Sequence, residues 1–98
     1  MDLEYIYIIF EETKLLDEQH IYYEVESLRI EYYDNNKKCY RIAIPDFYIP
    51  STNTIVEIKS NYTLNVQNML DKKLAYENAG YKFKLILEHK ETNISNIL

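Results

Sequence analysis

Three residues, Asp46, Glu57 and Lys59, have the types and spacing to do chemistry together. Pro50-Ser51-Thr52-Asn53 reads as a four-residue turn between two strands, and a loop of that length puts Asp46 directly across from Glu57. Period-two alternation sets Ile42, Ile44 and Asp46 on one face, with Ile55, Glu57 and Lys59 on the same face of the next strand. Directly opposed residues of an antiparallel pair hold their Cβ atoms about 5 Å apart. Two carboxylates that close repel, and either a proton on one of them or a hard divalent cation between their oxygens would offset the repulsion. With an ammonium alongside, the trio has the parts for metal-assisted hydrolysis. The cation polarises a phosphoryl oxygen and acidifies its bound water, and the lysine orients that water or helps deprotonate it. A turn aspartate next to an ordinary surface ion pair would leave the same D…ExK pattern, so the flanking residues decide between the two.

The elements that must position these residues follow from periodicity and punctuation. Residues 2–19 read as a helix, although Tyr5 to Phe10 suits a strand equally. Ile21 to Tyr33 is rich in β-branched and aromatic residues and predicts a first strand. Asp34-Asn35-Asn36-Lys37 predicts a turn, Cys39 to Phe47 a second strand, and Ile55 to Lys59 a short third one. A helix is expected over Asn65 to Asn78, with Val66, Met69, Leu70 and Leu74 along its apolar stripe and Gly80 just past its C-terminus. Phe83, Leu85 and Leu87 mark a last strand, and residues 89–98 read as a flexible tail. The order α-β-β-β-α-β makes one α+β domain over residues 1–98.

Bulk properties narrow the classes. The 98 residues leave no room for a second core. A hydrophobic fraction of 47% is well above that of a disordered chain. The single cysteine, Cys39, excludes an internal disulfide and a cysteine-rich zinc site. No apolar run approaches the roughly 18 residues needed to cross a bilayer. The start, MDLEYIYIIFEE, carries acids where a secretory signal needs basic residues, so an intracellular, cytoplasmic chain without a membrane partner is expected. The net charge of −5 weighs against nucleic-acid binding by electrostatics alone. Neither His20 nor His89 has a companion at metal-ligand spacing, and no role falls to them.

The stretch Tyr40-Arg41-Ile42-Ala43-Ile44-Pro45-Asp46-Phe47-Tyr48-Ile49-Pro50, followed by Ile55-Val56-Glu57-Ile58-Lys59-Ser60, resembles the PD-(D/E)XK nuclease superfamily. The resemblance is to small phage and giant-virus members related to very-short-patch repair and homing endonucleases. It continues through Asn68, Lys72, Ala75 and Gly80-Tyr81-Lys82-Phe83, covering roughly Ile21 to Leu87. It implies a restriction-endonuclease-like core, a central mixed four-stranded sheet flanked by helices. The implied activity is a Mg²⁺-dependent endonuclease on DNA, or alternatively RNA, with Mn²⁺ substituting for Mg²⁺. Asp46 and Glu57 would hold the metal with the backbone carbonyl of Ile58, and Lys59 would position the attacking water. Family members often add a first-helix glutamate. Glu12, with apolar Ile8, Ile9, Leu15 and Leu16 three and four positions away, is the choice here, with Glu4 and Glu11 as alternatives. Asn68 and Lys72 match polar positions that contact substrate, and Tyr62 with Thr63 matches the family's "YT" after the active strand. A viral or phage chain of this kind would work inside its host cell. So small and acidic a domain suggests a homodimer or a separate DNA-binding partner. The alternative is a nuclease-fold module without catalysis that binds nucleic acid or a protein.

Overall fold

The computed structural model describes residues 13–94, which form an α+β domain. Residues 13–18 are helical (α1). Strands β1 (Glu24–Val25), β2 (Ile30–Asp34), β3 (Cys39–Ala43), β4 (Phe47–Ile49) and β5 (Thr54–Lys59) follow, then helix α2 (Val66–Asn78), β6 (Lys82–Leu87) and β7 (Lys90–Thr92).

One bent hairpin dominates the N-terminal half. Its outer part pairs β2 with β3 and its inner part pairs β1 with β4, both antiparallel. Between the two parts, residues 26–29 face residues 44–46, so the first arm carries one residue more than the second. Such a bulge bends the pair and increases its twist. The sequence accounts for the break: Pro45 has no N–H to give a ladder, and Glu26 turns the chain at φ 51°. The predicted strands Ile21 to Tyr33 and Cys39 to Phe47 are therefore each two strands. Ile42 and Ile44 do not share a face with Asp46 as expected; both are exposed, Ile42 on the ribbon side of the bend and Ile44 within it.

The inner part belongs to a five-stranded mixed sheet of order β1-β4-β5-β6-β7, one strand more than the four-stranded sheet expected; β2 and β3 form a separate two-stranded ribbon. β4 and β5 are antiparallel across the Pro50–Asn53 loop, and β5 runs parallel to β6. A parallel pair needs a crossover, and α2 provides it. Asn65 caps α2, its side chain accepting the Asn68 N–H. At the other end Gly80 (φ 95°) allows the Tyr81 N–H to reach the Tyr76 carbonyl and the Gly80 N–H that of Glu77, closing the helix. Beyond β6, Glu88 and His89 both take positive φ and reverse the chain. The residues read as a loose tail thus begin with β7, and Ile94 is fully buried against Met69 and Leu85.

The sheet buries both faces. Phe47, Val56, Ile58 and Ile86 pack on one side with Tyr23 and Ile49. Ile55, Tyr76, Tyr32 and Ala43 pack on the other, where α2 and the ribbon lie. Phe47 is 1% exposed at the centre of the first cluster. Its replacement by alanine should cost about 3–5 kcal/mol of stability, measurable by urea unfolding. Among the described residues no helix is long and apolar enough to cross a membrane.

Candidate functional site

The β4–β5 register decides where the acids go. Phe47 pairs with Val56, Tyr48 with Ile55 and Ile49 with Thr54. Asp46, one residue before β4, is thereby set against Glu57. The two are cross-braced: the Asp46 N–H donates to Glu57 Oε1 at 3.1 Å, and the Ile58 N–H donates to Asp46 Oδ2 at 2.7 Å. Asp46 is further anchored at the bend, where its carbonyl accepts the Glu26 N–H at 3.1 Å. Alternation along β5 puts Glu57 and Lys59 on the face of Ile55, toward α2. The expected trio of Asp46, Glu57 and Lys59 is therefore brought to one place.

Ile58 occupies an unusual position in the ladder. Its N–H faces β4, so in the antiparallel pattern its carbonyl faces the same way. The residue opposite would be Pro45, which has no N–H. The ladder leaves the Ile58 carbonyl without a donor from that strand, beside the Asp46 carboxylate.

Glu57 is 3% exposed. Burial, and next the charge of Asp46, push its carboxyl up to about 7, against the opposing pull of Lys72, Lys59 and the Asp46 N–H. The repulsion foreseen between the acids is thus offset by two backbone N–H donors, two ammonium groups and part of a proton. The Tyr76 hydroxyl donates to Glu57 Oε2 at 3.4 Å. Burial, followed by the Glu57 and Asp46 charges, holds the Tyr76 phenol in its neutral form by raising its pKa. Lys72 is half-buried on α2; burial lowers its pKa, while Glu57 draws it back up.

No family model matches this chain, and no curated protein or solved structure does. What the centre can do therefore follows from its geometry. Among the described residues no three or more His, Cys, Asp and Glu side chains gather as a metal cluster. The oxygens available to a hard cation are those of Asp46 and Glu57, with the Ile58 carbonyl alongside. Glu12, expected to join them, lies outside the described residues, as do Glu4 and Glu11.

Of the expected substrate-binding residues, Asn68 and Lys72 lie on the face of α2 turned to the site. Asn68 Nδ2 donates to the Tyr32 hydroxyl at 3.1 Å, and Lys72 Nζ stands 5.6 Å from the Tyr32 ring centre. Tyr62 is 89% exposed in the turn after β5. Its neighbour Thr63 closes that turn, accepting the Ser60 N–H at 3.0 Å.

Two participants escaped the sequence reading. Tyr76 continues the four-residue spacing of Asn68 and Lys72, which was the available signal. Asp71, 7% exposed, accepts from the Asn35 N–H (2.8 Å), Asn35 Nδ2 (2.7 Å) and Gln67 Nε2 (2.9 Å), clasping the ribbon tip to α2. The predicted apolar stripe of α2 is corrected accordingly. Leu74 is 61% exposed, whereas Met69, Asp71 and Tyr76 are buried.

Proposed function

We propose that this chain is a Mg²⁺-dependent endonuclease that hydrolyses DNA phosphodiester bonds, on a restriction-endonuclease-like core of the PD-(D/E)XK type. The observation that carries the reading is the cross-braced Asp46–Glu57 pair with Lys59 on the same face. Pro45-Asp46 at the bend and Glu57-Ile58-Lys59 in β5 support it as the motif positions of the resemblance. The donor set suits Mg²⁺, which is usually held by one or two carboxylates and keeps several waters. Held by Asp46, Glu57 and the Ile58 carbonyl, Mg²⁺ would supply Lewis acidity and an acidified water, and Mn²⁺ would substitute.

The chain's own residues do the rest. The reciprocal N–H bonds fix both carboxylates before any ligand arrives, so little reorganisation is needed. Lys59, as an ammonium, donates to the attacking water, orients it and stabilises the hydroxide formed when its proton passes to bulk solvent. Lys72 offsets the negative charge of the acids and faces the approaching phosphate. Tyr76 holds the second oxygen of Glu57 in place.

Calorimetry tests the reading directly. At pH 8 the wild type should bind Mg²⁺ or Mn²⁺, Glu57→Gln should not, and only the wild type should nick supercoiled plasmid DNA. Absence of binding at millimolar metal, together with intact plasmid, would sink it. The net charge of −5 favours a second reading, a nuclease-fold module without catalysis that binds nucleic acid or a protein partner. That module predicts the same absence of metal binding with a partner still captured.

A further inference from the structure

Next to the acidic centre lies a separate cavity of about 340 Å³, between the tip of the β2–β3 ribbon and the N-terminal half of α2. Lys37, Arg41 and Lys72 line it against a single carboxylate, Asp34. In a chain with sixteen acids and eleven Lys and Arg residues, such a local excess of cations runs against the overall charge.

Asp34 is already committed. Its Oδ1 accepts the N–H groups of Asn36 (2.9 Å) and Lys37 (3.0 Å), and its Oδ2 accepts from Arg41 Nη1 at 3.3 Å. These donors hold its carboxyl below the usual carboxylate range. Asp34 thus serves to fix the turn and aim Arg41. The guanidinium has five N–H donors, and with 44% of its side chain exposed it keeps capacity for an anion.

The cavity walls are tied together. Asn36 Nδ2 donates to Asn65 Oδ1 at 3.2 Å, Asn68 Nδ2 to the Tyr32 hydroxyl, and Asn35 to Asp71. A site held open in this way loses little entropy when a ligand enters. Lys72 belongs to both places, interacting electrostatically with Glu57 and Asp46 on one side and with Arg41 on the other.

The geometry points to a phosphate-binding subsite: the cavity holds a backbone phosphate of a single DNA strand, on Arg41, Lys37 and Lys72, adjacent to the phosphate at the Asp46–Glu57–Lys59 centre. This rests on the hydrolytic reading of that centre. A cleft walled by protein on both sides takes one strand rather than a duplex, and phosphate contacts set register without reading sequence.

The test is anisotropy of a short fluorescein-labelled oligothymidylate, titrated with the 98-residue chain in EDTA so that nothing is cut. Lys37→Gln and Arg41→Gln should each weaken binding about tenfold at low salt, the size of one charge-assisted hydrogen bond. Each should also reduce the slope of log affinity against log salt by about 0.7. Arg41→Lys should retain most of the binding. Lys37→Gln guards against misfolding, because only the backbone N–H of Lys37 serves Asp34. Lys90→Gln, on edge strand β7, should bind as the wild type does. The subsite is overturned if Lys37→Gln and Arg41→Gln bind normally, if Lys90→Gln weakens binding equally, or if the wild type does not bind. Plasmid nicking in Mg²⁺, run in parallel, separates the two claims. Normal binding by both variants with nicking lost in Asp46→Ala removes the subsite and keeps the nuclease. Binding that depends on Lys37 and Arg41 without any nicking removes the nuclease and keeps the subsite.

Discussion

Methionine in place of Lys59 is expected to slow DNA cleavage by roughly 10²–10³-fold, the usual contribution of one preorganised donor to developing charge, while Mg²⁺ still binds. The side chain is half-buried at the end of β5, on the face of Glu57, and methionine keeps much of its length without its charge. Asp46→Ala should behave differently, losing metal binding and cleavage together and also the bond that the Ile58 N–H makes. Calorimetry and a nicking assay on the same preparations distinguish the two patterns. Because Lys59 helps to keep Glu57 ionised, the metal-binding pH profile of Lys59→Met should move to higher pH. A Lys59→Met protein that cuts at the wild-type rate would remove the lysine from the mechanism.

In metal-free buffer, Glu57→Gln should be more stable than the wild type at pH 8 and nearly equal to it at pH 4. The folded protein raises the Glu57 carboxyl from 4.5 to about 7. Between those values the native state binds more protons than the unfolded chain, so stability falls as pH rises through this window and then levels off. A shift of that size corresponds to about 3 kcal/mol, and glutamine does not titrate. Asp34 and Asp71 have the opposite sign. Their carboxyls are held below the ordinary range, so their contribution is lost only as pH falls into the acid region. Urea unfolding in EDTA from pH 4 to pH 8 checks the claim. A difference between the two proteins that stays constant across that range would refute it. Mg²⁺ should shrink the wild type's loss above pH 6, because a cation binds the ionised form of its ligand.

The centre was legible because one short loop sets a register and the register sets which side chains meet. Pro50 and Asn53 suit their places, the proline opening a tight turn and the asparagine taking φ 53°. The bend was hidden because Ala43, Phe47 and Ile49 stay in one period-two apolar phase across it, and Glu26 takes a left-handed conformation that its residue type does not announce. Pro45 was the available warning. β7 escaped because Lys90-Glu91-Thr92 has no apolar face of its own, and because Glu88 and His89 make a positive-φ turn without glycine or asparagine. On α2, a leucine at a stripe position lies in solvent, while tyrosine and aspartate are drawn inward by partners on other elements. Periodicity alone does not see such partners.

The proline opposite Ile58 sets zipping against reactivity. A residue with an N–H at position 45 would bring a donor to the side of the ladder that the Ile58 oxygen faces. On the proposed reading, a hydrogen bond there would occupy the acceptor that a cation would use. Cohesion is forgone there, and with it goes the chance that the fold seals its own mouth.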